Sequence, residues 1–173
     1  PGRGKLQAGD GPDPLHLEVS SGSAALEWGD KGLRSSWVLK FRKHGTFEGK
    51  IVSSESAHLS LPKAGQIEIT WTALDIALLQ PLWPKELSLE VMAAGQMKGN
   101  WLPEGRLEAK GDLKLAQGKL SWRTENGLIS AGIPQGDLDF SWREEGLQGN
   151  LSLSLETYGS LQGNFRLPLP ARF

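Results

Sequence analysis

Apolar and polar residues alternate along most of this chain. Leu15, Leu17 and Val19 are interleaved with His16 and Glu18; Ile67, Ile69 and Trp71 with Glu68 and Thr70; Leu87, Leu89 and Val91 with Ser88 and Glu90. The same holds for Leu138, Phe140 and Trp142 around Asp139 and Ser141, and for Leu151, Leu153 and Leu155 around Ser152 and Ser154. Successive side chains of a strand point to opposite faces, so a period of two predicts strands buried on one side only. The expected fold is all-β, built from repeated antiparallel hairpins with Leu, Ile, Phe and Trp on one face.

Two short patterns recur, and a repeat reports an architecture. One is an apolar residue, a spacer, Trp, a polar turn and then Gly-Leu: LEWGDKGL (Leu26 to Leu33), LSWRTENGL (Leu120 to Leu128) and FSWREEGL (Phe140 to Leu147). Each reads as a hairpin whose strand ends after Trp28, Trp122 or Trp142 and whose Gly32, Gly127 or Gly146 supplies a positive φ. The other is FEGKI, MKGNW, AQGKL, LQGNL and LQGNF, in which parity puts the central glycine on the apolar face. A missing side chain there lets a sheet curl, or marks a plain bulge. One segment departs from the period. Leu74 to Trp83 places Leu74, Ala77 and Leu78 at helical spacing before Pro81 and Pro84, which predicts either one helical turn plugging the sheet or a buried strand with a Pro-rich corner.

Composition narrows the function. The 22 Gly and 10 Pro are scattered between apolar runs, as turns between strands are, which argues against disorder. Lys+Arg 19 against Asp+Glu 20 leaves no bulk field to hold nucleic acid or an anionic membrane, so no nucleic-acid partner is expected. The cluster Lys40, Arg42, Lys43 and His44 reads as a charged turn. There is no Cys, hence no disulfide and no thiolate metal site. Pro1 to Asp10 lack the apolar core of a secretory signal, and the chain does not open with Met. It is expected to be a segment, residues 1–173, of a larger repeat protein, so that any anchor or export signal lies outside it, with residues 1–14 flexible.

Catalytic groups are sparse. His16, His44 and His58 occur singly, with His16 and His58 on the polar phase of their strands. No GxSxG pattern occurs, and Asp137 and Asp139 share a strand's polar face instead of flanking a cleft. No enzyme activity, metal or cofactor is expected.

The apolar face itself remains to be explained. A one-faced sheet must cover that face with a second sheet, closure into a barrel, a helical layer or a ligand. The seven tryptophans, Trp28, Trp37, Trp71, Trp83, Trp101, Trp122 and Trp142, make either a large aromatic core or a lining for acyl chains.

The string WTALDIALLQPLWPKELSLEVMAAGQMKGNW, followed by LSWRTENGL, LQGNLSLSL and YGSLQGNFRLPLP, resembles the C-terminal β-rich region of the TamB and AsmA-like family, over residues 67–173. That resemblance implies an elongated, strongly curved sheet, a taco-shaped trough with a hydrophobic concave face. It implies a periplasmic segment of a bacterial inner-membrane-anchored protein, an outer-membrane barrel partner of the TamA or BamA type, and a cargo of phospholipid or unfolded outer-membrane protein. The groove lining would be Ile67, Ile69, Trp71, Leu120, Trp122, Leu138, Phe140, Trp142, Leu151, Leu153, Leu155, Phe165 and Leu167, with Gly99, Gly149 and Gly163 supplying curvature. The alternative is a structural β-solenoid or adhesin passenger whose inward side chains close into a dry core.

Overall fold

A computed structural model describes residues 4–8, 15–42, 44–55, 62–77, 80 and 84–168. The strands are β1 (Gly4–Ala8), β2 (Leu15–Gly29), β3 (Gly32–Phe41), β4 (Thr46–Ser53), β5 (Gly65–Asp75), β6 (Leu87–Leu102), β7 (Arg106–Thr124), β8 (Gly127–Ile133), β9 (Gln135–Arg143), β10 (Gly146–Leu155) and β11 (Gly159–Leu167). They form one 11-stranded sheet in the order β1-β2-β3-β4-β5-β6-β7-β9-β10-β11, with β8 off that path beside β7. Every pairing is antiparallel between near neighbours in sequence. This is the all-β, antiparallel sheet that the alternation predicts. It is a meander, not the parallel coil of a solenoid, and β1 and β11 do not pair to close it.

The repeated hairpins sit where the Trp…Gly-Leu pattern places them. β3, β8 and β10 each open on the expected glycine, Gly32, Gly127 and Gly146, with φ of 104, 130 and 125°. The preceding strands run one or two residues past the tryptophan, to Gly29, Thr124 and Arg143.

β7 carries two strands end to end on one edge. Gly118 pairs with Ile133 of β8 and Leu115 with Gly136 of β9, a single unbroken register. β8 and β9 are therefore halves of one long strand interrupted at Pro134, which has no N–H to give to a ladder.

Paired residues of an antiparallel ladder project to the same face, so the register can be read across the whole sheet. One row runs Leu26, Ser35, Ile51, Ile67, Gly99, Ala109, Trp142, Leu147 and Leu167 from β2 to β11. The adjacent row on the other face reads Ala25, Ser36, Lys50, Glu68, Lys98, Lys110, Ser141, Gln148 and Arg166. One face is apolar and the other polar or charged, across nine strands.

Long strands keep this separation only by changing phase. In β7 the apolar positions are odd through Leu113 and Leu115 but even at Leu120 and Trp122, and a register shift against β6 between Val91 and Ala93 absorbs the extra residue at Ala116–Gln117. A second shift opposite, between Trp71 and Leu74 of β5, holds Ala73 at φ 54°. A bulge inserts one residue and so returns Leu74 to the face of Trp71.

The core lies on the apolar face alone. Its larger cluster joins Ile76, Val91, Ala93, Leu115, Ile133 and Leu153, beside the line of bulges. A smaller one, Leu107 and Ala109 with Ile67, Met97, Trp101 and Trp142, lies toward the other end of the strands. Ile76, at the start of the segment that breaks the period, is in a short helical turn and nearly fully buried, so this end of Leu74 to Trp83 does pack onto the sheet. Leu78, Leu79 and Pro81 to Trp83 lie outside the described residues, as does His58.

Candidate functional site

The register brings all the lining residues that the sequence singles out onto the one apolar face, but burial divides them. Trp71 and Leu153 are buried. Ile67, Ile69, Leu120, Leu138, Phe140, Trp142, Leu151, Leu155 and Phe165 are half-buried, while Trp122 and Leu167 are exposed. No second sheet or helical layer covers the face among the described residues.

The glycines of this face have a specific neighbour. A Cβ on Gly49 would collide with the indole of Trp37, and one on Gly65 with that of Trp101. A Cβ on Gly95 would lie 3.0 Å from Trp71 Cζ2, on Gly111 2.5 Å from Phe140 Cζ, and on Gly149 2.8 Å from Phe165 Cε1. Each ring comes from the cross-strand partner and lies over the bare backbone. Aromatic rings that cover glycines in this way restore the packing surface that the missing side chain takes from a strand. Of the proposed curvature glycines, Gly149 belongs to this set, Gly99 abuts the backbone of Glu108 and Ala109, and Gly163 has open space above it.

Around this packed centre the same face keeps large apolar groups in solvent. Leu26 and Trp28 lie in β2, Leu161 and Leu167 in β11, and Trp122 and Ile129 on the β7–β8 hairpin. Trp71 Nε1 is buried without a hydrogen-bond partner, whereas Trp101 Nε1 donates to Pro62 O at 3.2 Å. Sequence reasoning left out much of the core: Leu33, Phe41, Leu107, Ala109, Leu115, Ala131 and Ile133. The period-two run of GLISAGI was signal enough for the last two.

The polar face offers little chemistry. An open hollow of about 580 Å³ over β9, β10 and β11 is lined by Asp139, Ser141, Gln148, Asn150, Asn164 and Arg166, with Phe140, Gly149 and Phe165 at its floor. Asp139 pairs in register with Asp112, and Asp137 with Lys114, so the two carboxylates belong to a charged ladder. Lys98 Nζ bonds Glu68 Oε1 at 2.9 Å on the same face, between β5 and β6. His44 Nδ1 lies 3.8 Å from Asp75 Oδ2 at the β3–β4 turn and makes no hydrogen bond. Among the described residues no group of three or more His, Cys, Asp or Glu is placed to hold a metal.

The fold and face define an all-β protein whose one distinctive surface is an amphipathic sheet face. The TamB N-terminal domain family matches residues 54–172, more than half of the chain, and the chain belongs to the TamB family. The matching domain is the N-terminal one, where the resemblance implied the C-terminal region, and the match begins before residue 67. No curated protein and no solved structure matches. The family is one of translocation and assembly proteins, with a role in outer-membrane assembly and TamA-type partners. No helix among the described residues is long and apolar enough to cross a membrane.

Proposed function

We propose that the apolar face is the inner wall of a curled sheet, a periplasmic trough that shelters phospholipid acyl chains or unfolded outer-membrane protein segments between the two membranes. The observation that carries it is the division of a single face. Its middle is dry and packed, yet its flanks hold Leu26, Trp28, Trp122, Ile129, Leu161 and Leu167 in solvent. A closed core would have no reason to leave those residues uncovered, whereas a surface that receives greasy cargo must. The glycines under aromatic rings let the wall bend without opening gaps. The inner-membrane anchor and the outer-membrane barrel partner belong to this reading as the source and destination of the cargo.

The test is photo-crosslinking in cells from a reactive residue at Trp122 or Leu161, against one at Val52. Val52 is equally exposed but pairs with Arg34 and Gln66 on the charged face. Phospholipid or unfolded outer-membrane protein should be captured from the first two positions and not from Val52. Equal capture from all three, or none from any, removes the trough.

A further inference from the structure

Among the described residues the sheet leaves one interior edge uncovered. β10 pairs with β9 but ends at Leu155, where Glu156 to Tyr158 turn the chain into β11. The last rung on that line is Glu156 N–H donating to Gly132 O at 3.0 Å. Beyond it, no described residue bonds through its backbone to the outer edge of β8.

Rungs on an antiparallel strand alternate between its two neighbours. Gly132 faces outward, so Ser130 and Leu128 turn their N–H and C=O outward as well. This edge also carries none of the usual guards against pairing, since GLISAGI contains no Lys, Arg, Asp, Glu or Pro. Apolar groups flank it on both sides: Ile129, 43% exposed, on the apolar face, and Leu128, 64% exposed, on the other.

We propose that the outer edge of β8 is a strand-binding slot. It takes an extended segment of another polypeptide, antiparallel to β8, along the line β10 would follow past Leu155. The slot spans Gly127 to Ser130 and its neighbours, roughly five residues or about 17 Å of strand. Its occupant carries apolar side chains at alternate positions, to lie beside Ile129 and Ala131, with its N-terminal end against the Glu156 turn. That end selects against a second copy of this chain. A copy entering antiparallel through its own β8 brings its Glu125–Asn126 turn toward Glu156, carboxylate to carboxylate, whereas a foreign strand with a basic or free amino end meets an opposite charge. The slot is a backbone edge, and it stands whatever the apolar face carries.

Amide hydrogen exchange of the 173-residue chain tests it, with a nine-residue peptide of alternating Val and Thr behind an N-terminal Lys as the probe. At saturating peptide the Leu128 and Ser130 amides should slow by about tenfold or more. The same peptide N-methylated at each Thr, whose N–H groups face β8 when Val lies beside Ile129 and Ala131, should leave them unchanged. Unchanged exchange with the parent peptide overturns the slot, and equal slowing by the N-methylated peptide shows side-chain docking in its place. Slowing that needs no peptide and grows with protein concentration gives the edge to a second copy and refutes the foreign strand.

Discussion

Leu153 and Leu161 are register partners on β10 and β11, the same residue type on the same face, and they should respond differently to truncation. Leu153 is 5% exposed within the larger core cluster, while Leu161 is 48% exposed on the edge strand. Leu153 Cδ2 would lie 2.5 Å from a Cβ on Gly136, so this side chain fills the space that the glycine leaves. Leu153→Ala therefore loses the transfer energy of the removed carbons and opens a cavity bounded partly by backbone, which cannot collapse to refill it. The expected cost is about 3–4 kcal/mol, within the ~2–5 kcal/mol span of buried Leu→Ala changes. Leu161→Ala removes a side chain already half in water and leaves no enclosed cavity, so about 1 kcal/mol is expected. Urea unfolding followed by tryptophan fluorescence reads both. The function should order them the other way, with Leu161→Ala reducing capture of cargo while the sheet stays folded. Equal costs for the two, or a Leu153→Ala cost below about 1 kcal/mol, would show that the dry centre and wet flank of this face do not exist.

Gly49→Ala should cost about 1–3 kcal/mol in the same unfolding assay, because the new methyl meets the Trp37 ring, whereas Gly163→Ala, with open space above it, should change stability by less than about 0.5 kcal/mol. The Glu68 carboxyl is held below its ordinary value of 4.5, first by the hydrogen bond from Lys98 and then by the charge of Lys98, against a smaller upward push from desolvation and with the least pull from Lys50. A depressed folded pKa gives a contribution that is present above about 4.5 and lost as the pH falls through the lowered value, so Lys98→Met should raise the Glu68 midpoint in an NMR titration; an unmoved midpoint contradicts the pairing. Deleting Gln117 removes the extra residue that β7 carries against β6 and leaves Leu120 and Trp122 in strict alternation with Leu115 on the apolar face, so the variant should keep a cooperative unfolding transition. A second residue inserted after Gln117 exceeds what a one-residue bulge absorbs, turns both onto the charged face and should abolish that transition; an insertion that unfolds like the parent would show that the bulge does not set the faces.

That deletion marks where the sequence stops being readable. Within any stretch of five to eight residues the period of two was legible, and it put Ile67, Trp71, Phe140 and Leu153 on the apolar face without the structure. The hairpin glycines Gly32, Gly127 and Gly146 were equally plain, since only a turn of that kind explains Trp, a polar pair and Gly-Leu together. Parity alone, however, contradicts itself along β7, where Leu115 and Leu120 belong to opposite phases. The pattern then reads as two strands, or as one strand whose second half faces solvent. What reconciles them is a single inserted residue opposite β6, and the glycine of AQGKL allows a bulge or a curl without choosing between them, because a bulge is set by the register of the neighbouring strand. Burial was hidden for a related reason. Leu153 and Leu161 have closely similar local settings, SLS and SLQ, a leucine between two polar residues, and differ chiefly in how many strands lie beyond them. A side chain in the middle of a one-layer sheet is covered by its neighbours on both sides, and one at the edge by neighbours on one side. Local sequence specifies which face a residue takes; position in the strand order specifies how deep it lies. The wet flanks that carry the proposed function are therefore a property of topology, and chemically identical leucines serve as core in one strand and as receiving surface in the next.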